Sequence, residues 1–545
     1  MFCIELLGAI SAGESGKCAS ASAPPIPSLN RECVSGALSE AVSELGICHS
    51  RRCRQASRLL SPRSESARRV ATLDARNDRF LSSRDAMVGS LVRCKMVPLQ
   101  SVSGLSRPTM QLYLGLGSNE GNRAANLRAG IERLRAHGYS ISAISPVVES
   151  PALLPDDAPA DWNRPFLNLV LKGSIDPGDT SPEEWRSLIK CIEDELGRIR
   201  TSRWAPRPLD VDILLWGEQQ IRTDTLTIPH PDTLDRNFVL TPLVHVEPNL
   251  RIPGFEEKTA FEWSLSRQPI PLWMGIVNLT PDSFSDGGRF SDTAAVLAEI
   301  EGMLEQGVQI IDVGAESTRP GAETLDWEEE WARLAQPLQA ITARLADEPL
   351  APKISVDTRN WRVAERALAV GASMINDVSG LTDPEMCAVA RDSDAEWVVM
   401  HHLTLPASRE VRLPQDRPPL EEVLSWLEIQ LARIAGYGID TQRLLVDPGI
   451  GFNKDALQSL KILRDVPALR AAGLRVLVGH SRKSFMEFPP TEPRAKRDIE
   501  TIGASLKLCE LGVDVLRVHN VTDHIRAYRA WSHIQGFPRT SNVPA

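Results

Sequence analysis

Val308-Gln-Ile-Ile-Asp-Val-Gly-Ala315 runs straight into Glu316-Ser-Thr-Arg-Pro-Gly321. The first half is a short apolar run of strand length and the second is polar and loop-forming, so the chain reads here as a buried strand that delivers functional groups from its C-terminal end. The pattern recurs. Residues 272–279, 353–357, 374–378, 397–401, 444–447, 476–479 and 513–519 are apolar runs too, with helical stretches between them. Eight strand-helix alternations in about 270 residues match a closed parallel TIM (β/α)8 barrel.

Active residues of such a barrel collect at the C-terminal rim. Asn278 ends the first run, Glu316-Ser-Thr318-Arg319 follows the second and Asp357 ends the third. Asn376 and Asp377 close the fourth, Met400-His401 the fifth and Asp447-Pro-Gly-Ile-Gly-Phe452 the sixth. His480-Ser-Arg-Lys483-Ser484 and Arg517-Val-His519 complete the ring. Any one of these is as readily a buried hydrogen-bonder, but chemistry at all eight strand ends points to a catalytic rim.

Residues 110–250 have another pattern. Gln111-Leu-Tyr-Leu-Gly-Leu-Gly-Ser118-Asn119 reads as a strand into a turn, then an amphipathic helix from about 122 to 136. Glu120 stands where a dinucleotide fingerprint needs its third glycine, which rejects that motif. Ser181-Pro182-Glu183-Glu184 announces a second helix with a cap, a proline at the first position and acids in the first turn. Beyond it, Leu209, Val211 and Ile213 alternate with Asp210 and Asp212. On a strand both carboxylates leave one face, roughly 6–7 Å apart along the chain. Such a pair suits Mg²⁺, which keeps waters and shares phosphate oxygens. Arg198, Arg200, Arg203 and Arg207 lie just upstream, and arginine clamps beside a metal-holding carboxylate pair are the parts of phosphoryl transfer.

The whole chain has 545 residues, 61 basic and 71 acidic, so its formal charge of −10 argues against a general nucleic-acid binder. No run of 18 or more apolar residues is present, which leaves no candidate for a membrane-spanning helix. Residues 1–109 are different material: 19 Ser, 15 basic against 9 acidic residues, six of the nine Cys and no Trp or Tyr. With so little apolar area to offset ordering entropy they are expected to be mostly disordered. Three readings stay open for them: a transit peptide, a dispensable or misassigned extension ahead of a start at Met110, or a functional tail. Gly13-Glu14-Ser15-Gly16-Lys17 fails as a phosphate loop, because Ser11 and Cys18 occupy its other required positions. Cys191, Cys387 and Cys509 are expected to be plain core residues of a protein in a reducing compartment.

Two resemblances now sharpen this reading. Gly117-Ser118-Asn119, Phe166-Leu-Asn168, Arg203-Trp-Ala-Pro-Arg207-Pro-Leu-Asp210-Val-Asp212, and Ile228-Pro-His230 with Arg236-Asn-Phe238 resemble the 6-hydroxymethyl-7,8-dihydropterin pyrophosphokinase family. That resemblance implies a ferredoxin-like α+β domain over 110–250 in which Asp210 and Asp212 hold Mg²⁺ around ATP. It implies that Arg198, Arg200, Arg207, His230 and Arg236 handle the triphosphate, with Glu193 and Trp204 also at the nucleotide. Ser150 and Asn168 would hydrogen-bond the pterin, which stacks between Phe166 and Phe238. Pro231 after His230 and a long 150–168 loop depart from the family's usual form.

Met274-Gly-Ile-Val-Asn278-Leu-Thr-Pro-Asp-Ser-Phe-Ser-Asp-Gly-Gly288 and the rim around it resemble dihydropteroate synthase. By resemblance, Asp357, Asn376, Asp447 and Lys483 bind the pterin ring, with Met400 lining its pocket. Asn278 is a Mg²⁺ ligand, and Thr318, Arg319, Arg517 and His519 hold the diphosphate. Arg319, Phe452 and Ser484 stand beside p-aminobenzoate, and loops 280–289 and 316–321 close over the site. The expectation is therefore a bifunctional folate-biosynthesis enzyme: extension 1–109, kinase domain 110–250, linker 251–270 and barrel 271–540. Its small-molecule partners are hydroxymethyldihydropterin, ATP and p-aminobenzoate, with no nucleic acid and no membrane. A homodimer through the barrel is expected, in the cytoplasm or, where residues 1–109 act as a transit peptide, in the mitochondrion or another organelle. The rivals are a pterin-binding methyltransferase barrel, which has no use for Ser317-Thr-Arg-Pro-Gly321 or Lys483, and a silent scaffold, which has no use for either cluster of charges.

Overall fold

The computed structural model describes residues 109–176, 180–199, 202, 204–279, 293–316, 324–408, 410–486 and 497–535. Nearly all of the N-terminal extension, together with Arg200, Arg203, Thr318, Arg319 and the loop 280–292, lies outside the described residues.

The first domain is built from β1 (Met110–Ser118), α1 (Arg123–Ala136), β2 (Ser140–Ile144), β3 (Val148–Ser150), β4 (Phe166–Ile175), α2 (Pro182–Glu195) and β5 (Asp210–Trp216). Its sheet runs β2-β4-β1-β5, antiparallel throughout, with β3 paired to β4. Two strand-helix-strand halves interleaved in this way give the expected ferredoxin-like order. The helices start where the sequence caps them. Asn122 Oδ1 accepts from Ala125 N at 3.1 Å. Ser181 and Glu184 satisfy each other's backbone N–H groups in a capping box, and Pro182 begins α2.

Alternation along β1 then sorts its two faces. Leu112, Leu114 and Leu116 bury with Leu127, Ile131 and Leu134 of α1 and Ile189 and Ile192 of α2. On the other face Tyr113 packs with Val170, Leu215 and the helix α3 (Asn237–Val246), reached after the short ribbon β6 (Ile221–Arg222) and β7 (Thr227–Ile228). Gly115 and Gly117 share that second face with Tyr113, and lacking side chains they leave a bare strip on the sheet. The connecting residues 251–270 carry α4 (Ala260–Ser264), and Ile252, Ala260 and Phe261 are buried under α3.

Eight parallel strands close the second domain: β8 (Leu272–Asn278), β9 (Ile310–Gly314), β10 (Lys353–Asp357), β11 (Met374–Asp377), β12 (Glu396–Met400), β13 (Leu444–Asp447), β14 (Arg475–Val478) and β15 (Val515–Val518). Around them stand α5 (Thr293–Gln306), α6 (Trp327–Leu345), α7 (Trp361–Ala369), α8 (Pro384–Arg391), α9 (Pro419–Gly436), α10 (Ala456–Arg464), α11 (Val466–Ala471), α12 (Asp498–Glu510) and α13 (Val521–Gln535). The barrel predicted from the apolar runs is therefore present strand for strand. Inside it, Leu272, Met274, Ile310, Met374, Val398, Leu445, Leu477 and Val515 form one apolar floor. Two residues further along their strands come Asp312, Asn376, Met400, Asp447, Gly479 and Arg517, on the same inward face one layer higher.

The floor is completed from outside the barrel. Val148 of β3 belongs to the same buried cluster, and Phe238 of α3 packs against it. Polar contacts pin the two domains further. His245 Nδ1 of α3 accepts from Arg475 at 3.2 Å, and Arg475 and Lys353 both pair with Glu396. Arg470, fully paired with Asp514 at 2.9 Å, also donates to Ser264 Oγ of α4 at 3.2 Å.

One cysteine expectation is corrected. Cys387 and Cys509 are buried, but Cys191 is exposed, because it falls on the outer side of α2, whose buried positions are Trp185, Ile189, Ile192 and Glu193.

Glu330 on α6 is 1% exposed, and its Oε1 has no hydrogen-bond partner among the described residues. Burial pushes its carboxyl up to about 7 against the help of a Thr358 hydrogen bond, with Glu316 and Asp357 adding like charge. A folded-state value above the unfolded one gives stability that is full below the ordinary Glu range and is lost as pH rises through about 7. Glu330→Gln cannot ionise, so it should match the wild type near pH 5 and exceed it by about 1–3 kcal/mol near pH 8. Urea unfolding at the two pH values checks this, and a variant less stable at the higher pH contradicts it.

Candidate active sites

The bare strip of β1 is the floor of a cavity of about 510 Å³. Gly115 and Gly117 line its base; Phe166 and Asn168 of β4, Asp210 and Asp212 of β5, and Phe238 of α3 line its sides. A Cβ on Gly117 would approach Asn168 Oδ1 to 3.2 Å, so only glycine keeps that side chain where it is. Asn168 Nδ2 in turn donates to Ser150 Oγ at 2.9 Å. Ser150, Trp204, Arg198, Arg207, His230 and Arg236 also reach the cavity. Of the residues expected at the first site, all but Glu193 and the undescribed Arg200 converge here.

Asp210 and Asp212 leave the same face of β5, as the alternation required. Arg198 Nη1 meets Asp210 Oδ1 at 2.6 Å and Arg207 Nη1 meets Oδ2 at 3.1 Å. Burial works to raise the Asp210 carboxyl, but Arg207 and Arg198 together hold it below the usual aspartate value. Burial and then the negative charge of Asp210 hold Asp212 above it, with His230 and Arg236 opposing. The two carboxylates on one face of β5 form an acidic corner that fits a cation. Among the described residues no group of three or more His, Cys, Asp or Glu could cage a metal, so only a cation that retains water or substrate oxygens suits it. Asp232 N donates to His230 Nδ1 at 3.2 Å, which fixes the ring's orientation at the cavity.

Glu193 corrects one expectation. It was expected at the nucleotide, yet it is 0% exposed and does not line the cavity. Its carboxylate takes Arg198 at 2.7 Å, Lys190 at 2.9 Å and the N–H of Val211 at 3.0 Å, which anchors Arg198 and β5 from behind. Conversely, Arg186 and Lys190 line the cavity and were not picked out. Their four-residue spacing on α2 was the available signal, since it puts both on one helical face. Asp232, also in the lining, pairs with Arg236 at 2.5 Å. Asn119 explains its place in the motif by bridging loops: its N–H donates to Arg207 O at 3.2 Å and its Oδ1 accepts from Arg207 N at 2.8 Å.

The second cluster occupies the barrel's upper layer. Arg517 lies between Asp312 and Asp357, with Nε–Oδ2 2.6 Å and Nη2–Oδ2 2.7 Å. Ser355 Oγ and Asn376 Nδ2 reach Asp312 at 2.6 and 3.4 Å. Asp312 is fully buried and had passed in the sequence as part of an apolar run. Burial raises the Asp357 carboxyl, with Arg517 opposing, and raises that of Asp447, with Lys483 opposing. Asp447 accepts from Gly449 N at 2.7 Å, and Lys483 Nζ donates to Ile450 O at 2.5 Å while lying 5.0 Å from the Phe452 ring centroid. Met400 packs with Phe452, and Ser484 begins a short 3-10 turn just after Lys483. His519 Nδ1 lies 2.9 Å from Ser481 Oγ, and Asn278 ends β8 beside Gly314. Two rim residues turn to other work. Asp377 is absorbed by the N–H groups of Ser379 and Leu381, and His401 by buried Lys454 at 2.8 Å.

Family models agree with this division. A model for 7,8-dihydro-6-hydroxymethylpterin-pyrophosphokinase matches residues 113–248, and one for pterin binding enzymes matches residues 274–519. The chain is 36% identical over 442 residues to the folate synthesis bifunctional protein of Chlamydia muridarum, covering 77% of this chain and 97% of that one. It is 34% identical over 461 residues to a mitochondrial folate synthesis bifunctional protein of Arabidopsis thaliana, covering 75% and 80%. A solved dihydropteroate synthase of Xanthomonas albilineans with 4-aminobenzoic acid is 35% identical, covering 50% of this chain and 95% of that one at a TM-score of 0.45.

Removing Asp312 leaves Arg517, whose side chain is 20% exposed, with Asp357 as the remaining carboxylate in direct contact, and it strips Ser355 and Asn376 of a fully buried partner. Asp312→Ala should cost roughly 3–5 kcal/mol of barrel stability. Chemical denaturation measures it, and a loss below about 1 kcal/mol would mean that Asp357 alone satisfies the guanidinium.

Proposed function

The chain belongs to the bifunctional folate-synthesis family, a pyrophosphokinase joined to a dihydropteroate synthase, and from that premise we propose how its residues divide the two reactions. The enzyme transfers pyrophosphate from ATP to 6-hydroxymethyl-7,8-dihydropterin, releasing AMP, and condenses the resulting diphosphate with p-aminobenzoate to 7,8-dihydropteroate.

In the first site, Phe166 and Phe238 take the two faces of the pterin and Asn168 and Ser150 its polar edge, a flat heterocycle between aromatic rings. Arg198, Arg207, Lys190, Arg186 and Arg236 receive the triphosphate. The substrate hydroxyl oxygen forms its bond to the β-phosphorus and gives up its proton to water as the bond from that phosphorus to the oxygen of the AMP phosphate breaks. Negative charge then moves to AMP, where fixed guanidinium groups stabilise it most. Mg²⁺ on Asp210 and Asp212 would supply further neutralisation of the triphosphate. The observation that carries this reading is the convergence of Asp210, Asp212, Arg198 and Arg207 with the Phe166/Phe238 pair in one cavity.

In the second site we assign Asp357, Asn376, Asp447 and Lys483 to the pterin ring. Thr318, Arg319, Arg517 and His519 belong to the diphosphate and Asn278 to its Mg²⁺, Met400 lines the pterin pocket, and Arg319, Phe452 and Ser484 stand beside p-aminobenzoate. Breaking the carbon–oxygen bond releases diphosphate and leaves a methylene cation conjugated with the electron-rich ring. The arylamine nitrogen adds to that carbon and then loses a proton, so no strong base is needed. In this assignment the carboxylates of Asp357 and Asp447 stabilise the positive charge that spreads into the ring. We further propose a homodimer through the barrel, and the cytoplasm as its compartment unless residues 1–109 are cleaved on import. Mapping of the mature N-terminus decides the latter.

Asp210→Ala should abolish AMP formation by at least 10²-fold while condensation of supplied pterin diphosphate stays within about twofold. Loss of both activities would contradict independent sites, and absence of labelled p-aminobenzoate from the product would contradict the synthase assignment. Light scattering at micromolar concentration should give twice the chain mass; a monomer contradicts the dimer.

A further inference from the structure

The pterin end of the first cavity is fastened to the barrel. β3, which carries Ser150, is three residues long, and its partner is the first turn of β4, which carries Phe166 and Asn168. So short an edge strand has little of its own to hold its register. The barrel supplies the rest. Gln309 Nε2, ahead of β9, donates to Val147 O at 3.0 Å. Val148 is buried in the barrel floor. Glu149 Oε1 takes Arg529 Nε of α13 at 2.8 Å, and its Oε2 takes Arg123 Nη2 at 2.9 Å. Arg123 Nη1 then donates to Pro165 O at 2.8 Å, immediately before Phe166. Arg529 is itself braced by Gln306 O at 3.2 Å. On the cavity's other wall, Phe238 packs on the same floor.

We propose that Arg529, at the C-terminal end of the synthase barrel, is a positioning residue for the pyrophosphokinase site. Through Glu149 it sets the strand that presents Ser150, and through Glu149 and Arg123 it sets the backbone that presents Phe166. It touches no substrate. Its effect falls on pterin binding rather than on ATP, because Arg198, Arg207, Asp210 and Asp212 hang on α2, β5 and the loop between them, to which the clamp makes no hydrogen bond or ion pair among the described residues. The inference rests on the reading of Ser150, Asn168, Phe166 and Phe238 as the pterin-binding group.

The test compares the full-length wild type with Arg529→Met, which keeps the aliphatic stem and removes the charge. Expected is a rise in KM for hydroxymethyldihydropterin of roughly three- to tenfold, the scale of a partly buried ion pair working on alignment. KM for ATP and both synthase constants should stay within about twofold. Arg529→Lys, which restores a charge to Glu149, should recover much of the loss. An unchanged pterin KM in Arg529→Met overturns the proposal, as does a parallel fall in all constants, which marks a general structural role. Where Arg529→Met does not accumulate, Glu149→Gln decides by the same criteria. A wild type that releases no AMP from ATP and hydroxymethyldihydropterin overturns the underlying reading instead, whatever the variants do.

Discussion

A ring of eight parallel strands leaves its amino-terminal mouth lined with apolar side chains, and something must keep water from them. In this protein the first domain does so. Val148 and Phe238 join Leu272, Met274, Ile310, Met374, Val398, Leu445, Leu477 and Val515 in one dry layer. The cover is fixed in orientation by polar contacts around it, from His245 on Arg475 to Ser264 on Arg470. Because Phe238 also lines the first cavity and Val148 belongs to the strand that brings Ser150 to it, the stability of one domain and the shape of the other's cavity depend on the same contacts.

Both sites handle charge with the same device. In the first, Arg198 is held from behind by Glu193, which is fully buried, and from the cavity side by Asp210. In the second, Arg517 is held by fully buried Asp312 and by Asp357 at the substrate end. The rear carboxylate fixes the arginine without competing for the ligand. The front carboxylate is then free to answer to what binds, and its proton affinity shows the difference. Two guanidinium groups lower Asp210 against its burial, whereas burial raises Asp357, with several acids adding to the effect and a single guanidinium opposing it.

Much of this was legible because strand chemistry has a period of two. Alternation of Asp210 and Asp212 with apolar neighbours gave the carboxylate pair, and the ends of eight apolar runs gave the rim. The failures follow from the same rule applied without depth. Gly115 was weighed only as part of a nucleotide fingerprint and Gly117 only as part of a motif, when the service of both is to leave the sheet bare at the base of the cavity. Asp312 sat inside an apolar run and passed as strand interior; it is two residues past Ile310, which places it in the polar layer above the floor. Glu193 and Cys191 lie two apart on α2, one buried and one exposed, so a helix end near a charged loop cannot be sorted by residue type alone. The Glu149–Arg529 pair joins residues 380 apart in the chain, a separation that no local pattern reports.

The two sites lie at opposite ends of this architecture, and the barrel sets what can pass between them. The polar layer of Asp312, Asn376 and Arg517 stands two residues, roughly 7 Å along the strands, above the apolar floor. A route for pterin diphosphate through the centre is closed, since the floor is packed side chain to side chain as a core rather than a pore. The intermediate must therefore leave the first cavity and reach the rim around the outside of the barrel. Mechanical coupling has the opposite geometry: it needs only contact at the floor, and it runs from the barrel to the pterin walls that rest on it. The protein thus joins two chemistries whose substrates stay separate while their scaffolds do not.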